Sequence, residues 1–299
     1  MVENVKLKLT IKSVKNSWSI FKKNWLGLVG LGILIFFIIF ALTAPLLPAY
    51  DEMYDPIYGM DPVIYGDSPP SWRHPLGTDF IGRDILSQAM HGAQIALMVG
   101  LLAAFTTVVL GTVVGLVSGY YGGLVDSFLM RFVDILIVLP LLPLLLIVAA
   151  AFGEINVYLI AILIGVISWG MTSRVIRSQV LSIKERQFIK SARVSGASDG
   201  RIIFKHIMPN VLPLTFLYMT YAAMGAILLE ATLAFLGFGD TSKESWGVMI
   251  NHWRSVYGGT SEAMQWMIVP GVCITLLVFA IYVIGRAFEE VVNPRLRER

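Results

Sequence analysis

Apolar and polar residues fall into blocks along this chain, and the apolar blocks are long enough to cross a bilayer as helices. Residues 25–47 run 23 in a row without a charge, and further uncharged runs occupy 93–118 and 155–173. About 20 apolar residues suffice for a membrane-spanning helix. A third block, from near Met130 to Phe152, carries Pro140 and Pro143 and is predicted to kink. Blocks at 211–229 and 263–285 supply a fifth and a sixth span. The pattern predicts an all-α membrane protein of six transmembrane helices. A signal peptide is the rival reading of the first block, since an ALTAP sequence stands near its end. Its apolar region would span only about 7–15 residues, so the longer run reads as a retained span.

The polar stretches between the blocks differ in character. Residues 50–91 hold seven acids (Asp51, Glu52, Asp55, Asp61, Asp67, Asp79, Asp84) against Arg73 and Arg83. In the second block Gly111, Gly115 and Gly119 recur every four residues, a smooth strip on one helix face that permits close packing, or glycines merely tolerated in a span. YYGGLVD at 120–126 reads as a turn. Arg131 and Asp134 then stand one helical turn apart at the start of the third span, spaced for an ion pair that is either structural or part of a gate. Glu154 falls in a very short connection, and Glu230 is a lone acid at the end of the fifth span, solvated, capped or lining an outer vestibule. Trp246 and Trp253 suit an interfacial or re-entrant segment within 235–262.

Composition agrees with this picture. The 299 residues are 56% hydrophobic and 14% charged, with mean hydropathy +0.73, whereas soluble domains carry about 25% charged residues. The one cysteine, Cys273, lies in an apolar run, so there is no disulfide framework. A net charge of +3 implies no nucleic-acid partner, and its distribution says more than its size. Lys6, Lys8, Lys12, Lys15, Lys22 and Lys23 precede the first span against one acid, Glu3. With six spans, nineteen basic residues fall on the side of the termini and four, Arg73, Arg83, Lys243 and Arg254, on the other. By the positive-inside rule the termini are cytoplasmic and residues 50–91 face outward.

On the cytoplasmic side lies KSARVSGASDGRIIFKHIMPN, residues 190–210. A short helix is expected to end at Gly196, Ser198 is placed to cap a second helix, and Pro209 is expected to stop it. This helix, turn and helix outside the membrane reads as a docking surface, or as a basic loop that fixes orientation. No GxxxxGK[ST] loop occurs anywhere, so a nucleotide that drives transport must bind another polypeptide. His74, His91, His206 and His252 are scattered without a ligand-like cluster, so neither a metal site nor a catalytic constellation is expected. An ion-driven carrier is disfavoured by span interiors almost free of charge. A membrane scaffold is the remaining rival.

Four further motifs identify a family. HPLGTDFIGRDILSQAMHGAQIAL at 74–97, with Gly77, Thr78, Asp79, Gly82, Arg83 and Asp84, is joined by YYGGLVDSFLMRFVDILIVLP at 120–140, LAFLGFGD at 233–240 and Trp246 with Gly247. Together they resemble, over nearly the whole chain, the permease subunits of ATP-binding cassette importers, specifically the second permease of the dipeptide, oligopeptide and nickel branch. The resemblance implies a type I (MetI-like) transmembrane domain. It divides the chain into a cytoplasmic tail (1–24), a first helix (25–48), an external loop (49–92), a five-helix core (93–286) with a coupling loop at 175–210, and a second tail (287–299). It also implies that the 190–210 segment inserts into an ATPase subunit. The family pattern there is Glu-Ala-Ala, three residues, Gly, then a downstream Pro. Gly196, Pro209 and Ala192 match it, Ser191 stands for the first Ala, and Lys190 stands where the acid would be. The implied coupling residues are Ser191, Ala192, Arg193, Ser195, Gly196, Ala197, Ser198, Asp199, Arg201 and Pro209, while Arg131, Asp134 and Glu230 are candidates for gating or the path. Implied partners are a paralogous permease, two cytoplasmic ATPases that bind ATP and Mg, an external binding protein and the lipid of a prokaryotic plasma (inner) membrane. The chain itself needs no cofactor. The expected cargo is peptide, with oligosaccharide or nickel as alternatives.

Overall fold

The computed structural model describes residues 18–46, 55–64, 66–153, 155–258 and 262–292. Lys6, Lys8, Lys12, Lys15, Glu3, Asp51, Glu52, Glu154 and the basic residues after 292, all placed by the sequence, lie outside the described residues. Among the described residues ten helical runs carry the fold. Helix α1 (Trp25–Thr43) is capped by the Asn24 side chain, which accepts from Gly27 N–H at 2.9 Å. Helix α2 (Ile85–Tyr121) is 37 residues long. Then come α3 (Gly123–Val138), α4 (Leu141–Phe152), α5 (Val157–Ser168), α6 (Gly170–Lys184) and the short α7 (Gln187–Val194). The run α8 (Asp199–Phe238) leads to α9 (Trp246–Tyr257) and α10 (Met264–Val292). Four of these, or up to six spans if each bent pair counts as one, are long and apolar enough to cross a membrane.

Helix α2 is the spine. It contributes Ile85 and Ala93 to one buried cluster, Val99 and Ala103 to a second, and Leu116 and Tyr120 to a third. Its glycine strip is a packing surface. A Cβ at Gly111 would stand 2.7 Å from Thr172 Cβ, one at Gly115 2.7 Å from Ile176 Cβ, and one at Gly119 2.8 Å from Val180 Cβ. Thr172, Ile176 and Val180 have the same four-residue spacing, so α2 and α6 mesh rung by rung.

The structure departs from the simplest reading of the apolar blocks. The third is a break rather than a kink: α3 and α4 meet at 85°. A residue before proline avoids the helical region, and Leu139 is extended (φ −67°, ψ 129°) ahead of Pro140. Pro143 falls in the first turn of α4, where its missing N–H is harmless. Helix α3 begins at Gly123, before Met130, and α2 begins at Ile85, before the uncharged run, because Ser87 and Gln88 are buried inside it. Pro209 does not stop the second helix of the 190–210 segment. One π-type turn, Ile202–Ile207, opens in front of it, with Met208 N–H bonded to Ile203 O. The proline thereby sits at the start of a fresh α-helical stretch, Met208–Leu233. Trp246 and Trp253 are core residues, not interfacial ones: both are buried with Phe37 and Trp266, and Trp246 Nε1 donates to Ala89 O at 2.9 Å.

The segment ahead of α2, residues 55–84, is folded around its own charges. Asp61 accepts from Val63 N–H at 2.7 Å, pairs with Arg73 at 2.7 Å and meets His74 Nε2 at 3.0 Å. The other ring nitrogen of His74 meets Asp84 at 2.9 Å, and Asp84 caps α2 through Ser87 N–H at 2.7 Å. Asp79 holds Arg83 Nε at 2.6 Å and Gln88 Nε2 at 3.0 Å. Burial opposes the charge on Asp61, but the Val63 N–H, the His74 ring and the Arg73 guanidinium outweigh it and hold that carboxyl below the usual range. Burial pushes Asp84 up, with Ser87 and His74 offsetting it only in part. Three of the loop's acids are thus consumed internally.

Candidate functional site

The segment around Gly196 is an anchored helix-turn-helix with one free face. Helix α7 ends in a Schellman turn: Gly196 N–H donates to Arg193 O at 3.0 Å and Ala197 N–H to Ala192 O at 3.1 Å. Gly196 sits at φ +78°, a conformation that side-chain-bearing residues rarely adopt. Nothing lies within 4 Å of where its Cβ would be, so backbone conformation rather than space calls for glycine there. Ser198 is extended (φ −65°, ψ 155°) and occupies the N-cap position, its carbonyl accepting from Ile202 N–H at 3.0 Å, while its hydroxyl makes no capping bond. Ser195 Oγ bonds back to Ser191 O at 2.9 Å. Lys190 pairs with Glu185 at 3.4 Å in an exposed contact. Pairs of that kind add little stability.

The anchored side is apolar. Ile189, Ile202, Ile203 and Ile207 are buried among Ile176, Val180 and Ile183 of α6 and Leu116 of α2. The free side is apolar too: Phe188, Val194 and Phe204 are 42%, 90% and 68% exposed. Ser191, Ser195, Gly196, Ser198, Arg201 and Pro209 are exposed beside them, with Ala192 and Ala197 half-buried. Small residues around protruding apolar ones make a surface suited to a close-fitting groove.

Arg193 and Asp199 face inward as well as outward. The Tyr120 hydroxyl, at the end of α2, donates to Asp199 Oδ1 at 2.6 Å, and the Arg193 guanidinium lies 5.8 Å from the centroid of the same ring. Next to it Lys184 Nζ donates to Gly119 O at 2.9 Å. Sequence reasoning read Tyr120 only as part of a turn. It stands 79 positions from Asp199, and no local spacing pairs the two.

The path candidates do not form one site. The expected Arg131–Asp134 pair is absent: both residues lie in α3 one turn apart, but Asp134 reaches across to Arg174 of α6 instead. A second cross-link joins the same helices, Arg177 donating to both Asp126 oxygens at 2.5 Å. Arg131 is exposed on α3. Glu230 is neither terminal nor solvated: it is 4% exposed inside α8, beside Ser245 at the start of α9.

Comparison with known proteins places this architecture. Residues 111–298 match the family described as binding-protein-dependent transport system inner membrane component, and residues 14–70 match the N-terminal TM domain of oligopeptide transport permease C. The oligopeptide transport system permease protein OppC of Haemophilus influenzae is 35% identical over 281 residues, covering 93% of this chain and 87% of that protein. The dipeptide transport system permease protein DppC of Bacillus subtilis is 31% identical over 298 residues, 96% of this chain and 88% of that one. OppC of Bacillus subtilis is 32% identical over 280 residues, 93% and 88% of the two chains.

Proposed function

The chain belongs to the family of binding-protein-dependent transport system inner membrane components, and on that premise we propose that it is one of two permease subunits of an ATP-driven peptide importer. It is a non-catalytic membrane subunit, and the ATP is bound and hydrolysed, with Mg, by two cytoplasmic ATPase partners. A paralogous permease completes the path, and an external binding protein delivers the cargo. Peptide as cargo is supported by the relatives' names, oligopeptide and dipeptide permeases. The location is the plasma (inner) membrane of a prokaryote, and the termini and the Gly196 turn are cytoplasmic. The distribution of nineteen basic residues against four supports that orientation.

The observation that carries the coupling role is the turn itself: exposed Phe188, Val194 and Phe204 around a left-handed glycine, on helices anchored by buried isoleucines. Closure of the ATPases would move this turn, and the spans would rock between inward-open and outward-open states. The test is uptake of labelled peptide by proteoliposomes holding the two permeases and their ATPases, with the binding protein outside and ATP inside. Gly196→Val forces a β-branched residue into the left-handed region, at about 1–2 kcal/mol, and is expected to abolish ATPase association and uptake together. Uptake without nucleotide, or a Gly196→Val complex that assembles and transports normally, defeats the proposal. Tight binding of an oligosaccharide and of no peptide by the external protein would reassign the cargo.

A further inference from the structure

We infer that Tyr120 is the positioning residue that passes movement of the docking turn into the membrane core, by clamping Arg193 and Asp199 to the end of α2. The inference rests on the coupling role proposed above. Along the chain the turn is poorly connected to the spans. On one side α7 joins α6 through the two-residue link at Glu185 and Arg186. On the other, the route along α8 passes the π turn Ile202–Ile207, then Pro209 and Pro213, where the regular bond pattern of the helix is interrupted and bending is easiest.

The direct route runs across space. Arg193 belongs to α7 and Asp199 to the first turn of α8, so one side chain holds both arms of the helix-turn-helix. The hydroxyl bond to Asp199 is short and goes to a carboxylate, the stronger class of hydrogen bond. The Arg193 guanidinium on the ring adds a cation–π contact. Tyr120 is itself only 7% exposed, so an ATPase docked on the free face would not meet it. Behind it the end of α2 is fixed by the Gly119–Val180 contact and by Lys184 on Gly119 O. A push on the turn therefore reaches α2 without being absorbed in the loop.

Tyr120→Phe removes one oxygen, and with it the hydroxyl's interactions with Asp199 and Arg193, and keeps the ring, its packing and the Arg193 guanidinium on its face. In the assembled complex, with peptide uptake and ATP hydrolysis measured on the same vesicles, ATPase association is expected to persist while peptide carried per ATP falls about tenfold, the weight of one charge-assisted bond. Asp199→Ala should reproduce the loss. Asp199→Asn, which keeps an oxygen for the hydroxyl but not the charge, should recover part of it. The Tyr120→Phe/Asp199→Ala double variant should be no worse than either single one. The inference is overturned if Tyr120→Phe keeps uptake per ATP within about twofold of the unaltered complex. It is equally overturned if the variant loses its ATPases, which would make Tyr120 a docking or structural residue, or if the two substitutions add. Failure of the underlying coupling role reads out separately, as uptake by the unaltered complex without nucleotide.

Discussion

Replacing Gly115 with alanine tests how α2 is held against α6. The new Cβ would stand 2.7 Å from Ile176 Cβ and 2.8 Å from Ser173 O, well inside the roughly 3.5 Å of an ordinary contact. Neither neighbour can rotate aside, one being itself a Cβ and the other backbone, so the helices must part by most of an ångström. Parting at the middle rung also opens the rungs at Gly111 and Gly119. A gap of about 0.5–1 Å already forfeits a quarter to a half of each dispersion contact. Overpacking of this kind costs about 1–3 kcal/mol, and alanine returns up to ~1 kcal/mol in helix propensity over glycine. Gly32→Ala in α1 is the control, because nothing lies within 4 Å of that position and only the propensity gain applies. The two variants should differ by about 2 kcal/mol, with opposite signs. The assay is thermal unfolding of the purified assembly in one detergent, followed by the loss of a monodisperse peak. A lower midpoint for Gly115→Ala and an equal or higher one for Gly32→Ala are expected. Equal shifts in one direction would refute the close-approach reasoning.

Three further outcomes test the cap at the Asp84 end of α2 and its neighbour α9. Arg83→Ala leaves the Asp79 carboxylate buried without its cation, a loss of about 3–5 kcal/mol confined to the cap; amide exchange over residues 55–84 should rise sharply, and unchanged exchange would sink the argument. Asp61 is held below the usual range, so its contribution is present above that range and vanishes as pH falls through the folded value. Asp84 is pushed up, so its contribution is present at low pH and lost as pH rises. Asp61→Asn should therefore unprotect the cap more than Asp84→Asn at about pH 7, with the difference shrinking below about pH 4; equal protection at the higher pH counts against this. Trp246→Phe removes the bond to Ala89 O and part of a buried ring, at about 2 kcal/mol. Labelling of a cysteine placed on α9 should then speed up, and an unaltered rate would show that α9 is held by something else.

The sequence makes legible what depends on neighbours along the chain. Uncharged runs mark the spans, a four-residue glycine period marks the meshing face of α2, and Gly196 marks the Schellman turn. What it hides depends on distant residues or on competition between local rules. Pro140 forces an extended residue before it, and no run of apolar residues discloses the 85° that results. Asp134 has a cation three positions earlier and takes another forty away. The tryptophans of α9 read as membrane-surface residues because composition cannot show that Phe37 and Trp266 cover them. The acids ahead of α2 look like a charged surface until the buried partners His74 and Arg83 are seen. Tyr120 belongs to this class too.

The length of α2 has a mechanical meaning. At about 1.5 Å per residue its 37 residues form a rod of roughly 55 Å. Tyr120 is at one tip, and the Asp84 cap with its His74 knot is fused to the other. Such a rod works as a seesaw: a tilt of about 5° around its middle sweeps the tips some ~2.4 Å in opposite directions. A pull at the Tyr120 tip is thereby an opposite swing of the Asp84 cap, and one rigid element is enough to make the two displacements a single motion.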